Sequence, residues 1–236
     1  SSPKQVGSLN NWSKFACGGA QILNTKTDGT FWVWGTGSNG ALGLGNTTAY
    51  SSPKQVGSLS AWLNVASGRY HTISTKTDGT IWTWGDNGNG QLGLGDVTNR
   101  SSPNQVGVLT NWSKIAGGTS SNATYSIKTD GTLWSWGLNN LGQLGLNDRT
   151  YRSSPTQVGA LTTWLDVAGG GYHAVAIKTD GTLWCWGRNQ RGQLGLGNTT
   201  NYSSPKQVGS LTTWYKVNCG KNHTLAIKTD GTLWAW

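Results

Sequence analysis

The sequence predicts an all-β fold assembled from five repeated units, and three observations predict it. The first is a ten-residue pattern, Ile227 to Trp236 in its last copy. It recurs from Thr25 to Trp34, Thr75 to Trp84, Ile127 to Trp136 and Ile177 to Trp186. The second is the content of that pattern. Each copy centres on Asp-Gly, which tolerates the positive φ angles of a two-residue type I′ hairpin turn, so two short strands are expected around it. It also carries two Trp spaced two apart, which leave one face of a strand together. The third is composition. Of 236 residues 36 are Gly, Met and Glu are absent, and no stretch keeps a 3.6-residue apolar period. A lone hairpin of this kind is not stable in water, so the copies must bury their tryptophans against one another.

The units run 1–50, 51–100, 101–152, 153–202 and 203–236, and are read as a single domain spanning 1–236. A period near 50 marks a radial array of sheets, a β-propeller, or a solenoid. Each unit has the same order. Ser-Ser-Pro-x-Gln-Val reads as an outer strand, because Pro is tolerated at a sheet edge. Gly-x-Leu is a turn, and Trp164 to Gly170 exemplifies an inner strand of small residues suited to a crowded axis. The repeated hairpin supplies the second and third strands, and a loop such as 187–195 leads to the next unit. Strands apolar on both faces, such as Val175 to Ile177, suit sheets stacked face to face. A propeller meets these demands; a linear solenoid would call for polar capping units.

The elements Trp-x-x-Val-Ala-x-Gly, Gly-x-x-His, Lys-Thr-Asp-Gly-Thr-Leu-Trp-x-Trp-Gly and Gly-Gln-Leu-Gly-Leu-Gly resemble repeats of the regulator of chromosome condensation (RCC1) type. The resemblance covers the whole chain and implies a propeller of four-stranded blades. The family's usual ring has seven blades, whereas here there is sequence for five. The chain starts with an outer strand (Ser2 to Val6) and ends with a third strand (Thr232 to Trp236). Pairing the two would close a monomeric ring of five and remove exposed sheet edges. The alternatives are an open piece of a seven-bladed ring, or fragments completing one another as an oligomer. Cys17 and Cys219 each follow an inner-strand Trp by five residues, in the first and last units. They become neighbours if five blades close, which makes a Cys17–Cys219 disulfide possible; the alternative is free thiols.

Chemistry at single residues is sparse. The net charge of +9 arises from 18 Lys and Arg. Five of these, Lys26, Lys76, Lys128, Lys178 and Lys228, share one repeat position and read as a ring of solvated lysines, which argues against a nucleic-acid partner. Apolar runs are too short to span a bilayer, so no membrane partner is expected, and no compartment can be read. His71, His173 and His223 share a register position with Gln21, outside any metal-ligand spacing, which indicates structural hydrogen bonding. Five of the nine Asp belong to the turns and the rest are scattered, so no carboxylate pair for acid–base work is expected. Gly93-Leu94-Gly95 lacks the strand, helix and Lys-Ser/Thr of a phosphate loop. No enzyme activity, metal or cofactor is expected.

Comparison of the units with one another locates the variable positions. They follow the inner strand (Arg69-Tyr70, Thr119 to Asn122, Gly171-Tyr172, Lys221-Asn222) and the third strand (Asp86 to Asn89, Leu138 to Leu141, Arg188 to Arg191). In an up-down-up-down blade both loops emerge on one face. Arg69, Tyr70, Tyr172, Arg188 and Arg191 are the expected anchors of a protein-binding surface, since Tyr and Arg are favoured at interface centres. The chain therefore reads as a non-enzymatic scaffold binding an unidentified protein. Three other readings stand beside it. One is a structural or self-assembling repeat protein of a virion, a surface or artificial origin. Another is a carbohydrate-binding propeller with one shallow aromatic site per blade, and the third is an exchange-factor-like role resting on the resemblance alone.

Overall fold

The repeated hairpins become short antiparallel sheets in a computed structural model that describes residues 2, 5–7, 10–118 and 120–236. Blade 1 contains β1 (Trp12–Cys17), β2 (Gln21–Lys26), β3 (Phe31–Gly35) and β4 (Tyr50–Gln55). Blade 2 contains β5 (Trp62–Ser67), β6 (His71–Lys76), β7 (Ile81–Gly85) and β8 (Arg100–Gln105). Blade 3 is β9 (Trp112–Gly117), β10 (Ala123–Lys128), β11 (Leu133–Gly137) and β12 (Arg152–Gln157). Blade 4 is β13 (Trp164–Gly169), β14 (His173–Lys178), β15 (Leu183–Gly187) and β16 (Tyr202–Gln207). Blade 5 holds β17 (Trp214–Cys219), β18 (Thr224–Lys228) and β19 (Leu233–Ala235). The molecule is the five-bladed, all-β propeller expected.

Each sheet is sewn to the next unit. The Ser-Ser-Pro strand of one unit is the outer strand of the preceding sheet, with Trp82 opposite Gln105 and Trp184 opposite Gln207. Pro103, Pro155 and Pro205 thus lie on outer edges, where a missing N–H leaves no ladder position empty.

The turn differs from the type I′ turn expected. Lys76 N–H donates to Thr80 C=O and Gly79 N–H donates to Lys76 C=O, which closes a three-residue loop, Thr77-Asp78-Gly79. Only the glycine takes positive φ, at +78°, and so acts as the left-handed residue that ends a three-residue hairpin loop. The cause is the aspartate. Its carboxylate accepts from Thr80 N–H at 2.9 Å and from Thr80 Oγ1 at 2.6 Å, which holds Asp78 in the right-handed arm of the turn and lowers its pKa.

The core lies between blades. The Ile/Leu face of one sheet packs on the Trp face of the next: Tyr125, Ile127 and Leu133 of blade 3 meet Trp164, Trp186 and Ala174 of blade 4. Within the Trp face, Trp164 meets Trp184 and Trp186 edge to face at 6.2 and 6.1 Å. Polar bonds cross the same seams, from Thr124 Oγ1 to Gln91 C=O at 2.8 Å and from Trp186 Nε1 to Gln143 C=O at 2.8 Å.

The fifth blade has three strands among the described residues. The segment expected to complete it, Ser2–Val6, includes Pro3 and Lys4, which lie outside the described residues. Ser2, Gln5 and Val6 belong to no strand, and Gln5 and Val6 instead line a cleft with Trp12, Phe15 and Ile22 of the first blade. That cleft lies on the Trp face of blade 1, which also offers Trp34 to it. The cysteines are free thiols, so the Cys17–Cys219 bridge is not formed. Cys219 is buried with its Sγ 3.8 Å from Ala168 C=O of blade 4, and burial pushes its pKa up to about 12; Cys17 is exposed at the end of β1.

Candidate functional site

The two variable loops of each blade are joined on one side by backbone hydrogen bonds. Asp86 N–H donates to Tyr70 C=O at 2.9 Å, Leu138 N–H to Asn122 C=O at 2.8 Å, and Arg188 N–H to Tyr172 C=O at 2.8 Å. Neighbouring blades are linked there as well, through Gly19 N–H to Arg69 C=O and Gly171 N–H to Lys221 C=O. The Asp-Gly turns occupy the other side, where Trp112 N–H donates to Gly79 C=O.

Part of each loop is architecture. Asn87 is fully buried, and its amide donates to the carbonyls of Asp96 and Thr98 while its oxygen accepts from Leu92 N–H. Asn139 and Asn189 repeat this role. Gln91, Gln143 and Gln193 fix the loop tips by accepting from the backbone two residues earlier. Between these anchors the side chains at 86, 88 and 89, and their equivalents, are free to vary.

The expected anchors fall into two clusters. On blade 2 the Arg69 guanidinium lies 5.0 Å from the Tyr70 ring centroid. Beside it Asp86 accepts from Gln91 Nε2 at 2.8 Å and Asn122 Nδ2 at 3.1 Å, which ties blade 2 to blade 3. On blade 4 the Arg188 guanidinium stands 5.9 Å from the Tyr172 ring centroid and donates to Gln190 Oε1, with exposed Arg191 next in the same loop. Arg69 and Arg191 are exposed; Tyr70, Tyr172 and Arg188 are half-buried. The clusters are separated by blade 3, whose Thr119 lies outside the described residues.

The histidines sit inside the seams. His71 Nε2 is 2.9 Å from Thr124 Oγ1 and His173 Nε2 is 3.1 Å from Thr224 Oγ1, each reaching into the next blade. Burial lowers their pKa values to about 3 and about 4, the second also through the neighbouring His223 charge. Gln21 makes the comparable reach to Ser67 Oγ at 3.0 Å. Among the described residues no three His, Cys, Asp or Glu gather as metal ligands, and no helix is long and apolar enough to cross a membrane. Asp166 on β13 is held above the usual carboxylate range by burial, against the opposing pull of Lys114 and Lys216.

One expectation is overturned. The repeated lysines do not extend freely into solvent: Lys26, Lys76, Lys128 and Lys178 are only 7–8% exposed as whole residues, and Lys228 is half-buried. Each ammonium sits over two indoles, as Lys76 does at 3.5 Å from the Trp82 centroid and 4.8 Å from that of Trp62. The stem is buried along the Trp face, and the attraction of the cation for the aromatic rings adds to that burial. The signal was present in the sequence as a Lys placed six residues before a Trp in every unit.

No curated protein matches the chain. Among solved structures, human WBSCR16 superposes with a TM-score of 0.83 at 23% identity, covering 94% of this chain and 59% of that one. Prp20p from Saccharomyces cerevisiae gives 0.84 at 24% identity, covering 95% and 57%. A further structure of yeast RCC1 (Prp20) gives 0.73 at 19%, covering 95% and 69%. This chain therefore spans somewhat under three-fifths of the length of the first two, and these likenesses establish the fold. The sequence model of the RCC1-like domain matches residues 1–236, and the chain belongs to that family.

Proposed function

We propose that this RCC1-like propeller is a non-enzymatic scaffold that binds a protein partner through its variable loop face. The observation that carries the reading is the pair of Arg–Tyr clusters, Arg69–Tyr70 and Tyr172–Arg188, standing on loops whose backbones are fixed by hydrogen bonds on one side of the molecule. A large aromatic and a fork-shaped cation held in place lose little conformational freedom on binding. The cations Arg69, Arg188, Arg191 and Lys221 outnumber Asp86 on this side, so the partner surface is acidic. Prp20p has binding properties toward Gsp1p and histones, and yeast RCC1 (Prp20) has been captured bound to Kap60. Protein recognition is accordingly the role that this family member takes.

The test compares the two faces. Arg188→Ala with Arg191→Ala, and separately Tyr172→Ala, should each weaken capture of a partner from source extract by tenfold or more, the loss of about 1.4 kcal/mol or above expected at an interface centre. Thr77→Glu with Thr129→Glu, on the turn side, should leave capture unchanged. Equal behaviour of the two sets would remove the assigned face.

A further inference from the structure

The seams between successive blades repeat one joint. On one side stands the residue that opens a third strand: Phe31, Ile81, Leu133 and Leu183, all fully buried. On the other side stand two Trp of the next blade, as Trp62 and Trp84 do at 5.5 and 5.4 Å from the Phe31 ring centroid. The Val that closes Ser-Ser-Pro-x-Gln-Val joins the same cluster, and Val56, Val106 and Val158 are each 2% exposed. Its N–H locks the joint by donating to the strand-opening residue. Val56 donates to Phe31 C=O at 2.8 Å, Val106 to Ile81 at 2.9 Å, Val158 to Leu133 at 2.8 Å and Val208 to Leu183 at 2.8 Å.

The end blades carry the two halves of one further joint. On blade 5 Leu233 is 66% exposed, and Leu225 and Ile227 beside it on that face are half-buried. On blade 1 Phe15 is 78% exposed, and Trp12 and Trp34 are half-buried where Trp62 and Trp84 are buried. Val6 lines the cleft on that face with Trp12 and is 45% exposed. Gly7 after it takes φ of +66°, as Gly57 after Val56 takes +58°, so the turn that presents the Val is already formed. Asn24 lines the same cleft; it is 8% exposed, and its Nδ2 finds no acceptor among the described residues. Both faces are open in one molecule, so neither covers the other.

We propose that the blade 5 face of one copy docks on the blade 1 face of a second copy of this chain. Leu233 then packs against Trp12 and Trp34 of the second copy, and the second copy's Val6 N–H donates to Leu233 C=O. Each of these parts already meets its complement at the seams inside the chain, which is why the occupant is another copy rather than an unlike protein. One face bears Leu and the other Trp, so the contact is head to tail. Such a contact leaves one face of each kind open at the ends of the pair and is able to propagate. In dilute solution the chain is a monomer with both faces open.

The experiment follows the mass of the full chain by sedimentation velocity from low micromolar to near-millimolar concentration. The parent should pass from one chain to two and more as the concentration rises. Phe15→Asp spoils the blade 1 face alone, and Leu233→Asp spoils the blade 5 face alone. Both sites are exposed in the single chain, so near-ultraviolet circular dichroism should be retained in each variant. Each variant by itself should stay a monomer, since docking would bury an unpaired carboxylate. An equimolar mixture of the two should regain association and stop at two chains, because each variant keeps the face that its partner has to meet. A parent that is monomeric at every concentration, a single variant that associates as the parent does, or a mixture that stays monomeric or grows beyond two chains would each overturn the proposal.

Discussion

Leu133 and Leu183 lie inside seams between blades and are fully buried, while Leu233, at the same repeat position in the fifth blade, is 66% exposed. The opposite kind of face shows the same contrast: Val167 on blade 4 is 7% exposed, and Phe15, its counterpart on blade 1, is 78% exposed. The turns beside these residues are nevertheless alike. Thr132 and Thr232 each donate to the turn aspartate at 2.9 Å, and each turn glycine has φ near +80°. Hairpin shape is thus dictated within ten residues, whereas burial is dictated by the blade that comes next. Internal seams hold the molecule together, and the two outward faces of the terminal blades contribute far less.

The largest separation between the two regions is expected at the turn glycines. A Cβ on Gly79 would stand 1.9 Å from Thr110 C=O, a backbone atom that cannot move alone, whereas a Cβ on Gly231 meets nothing within 4 Å. Both residues are left-handed, so Ala at either site costs about 1–2 kcal/mol for conformation. Gly79→Ala should cost well beyond that, and Gly231→Ala only that much, measured as shifts in denaturant midpoint. Similar midpoints for the two variants would mean that the close approach at internal turns is without consequence.

Leucine truncation sharpens the same contrast with a smaller effect. Leu133→Ala should lose about 2–5 kcal/mol, because it opens a cavity against Trp164 and Trp186. Leu233→Ala should stay within about 0.5 kcal/mol, as expected of a surface position. A loss at Leu233 comparable with that at Leu133 would show that the outward face of blade 5 is covered in solution.

How much of this was legible in the sequence follows the same division. Blade architecture and strand order were readable because the Trp pairs, the Asp-Gly turns and the edge prolines each carry a local physical reason. The turn type was misjudged because Asp-Gly permits two loops, and the threonine after it, through Thr80 bonding Asp78, selects the longer one. The loop face was readable as variation between units. The role of Asn87 within it was not, since its partners Asp96 and Thr98 lie 9 and 11 residues on. The lysines were misread because charge alone indicates solvent. Only the indoles of two other strands, Trp62 and Trp82 around Lys76, account for a largely buried lysine. Residues whose partners lie on another strand or far along a loop carry little signature in their immediate neighbours.

The remaining prediction concerns the histidines within the seams, and its sign follows from burial. His71 and His173 are neutral in the folded protein, with pKa values lowered to about 3 and about 4, chiefly by desolvation of the charged ring. In the unfolded chain each titrates near 6.5. Between those values the unfolded state binds more protons, so stability is full above pH 6.5 and falls as the pH is lowered toward 4. The slope is at most about 1.4 kcal/mol per pH unit for each ring. The turn carboxylates, with pKa values lowered in the folded protein, add to the loss only as the pH nears their unfolded value of about 3.9, and Asp166, raised by burial, acts in the opposite sense, so the double variant is what isolates the histidines between pH 6.5 and 4.5. Gln occupies this register in the first unit and bonds across its seam through Gln21 to Ser67, so His71→Gln with His173→Gln keeps a hydrogen-bonding side chain in place. The double variant should show a nearly flat stability profile across that window, while the parent protein declines. A decline that persists in the variant would place the proton uptake elsewhere and remove these rings from the seams' response to acid.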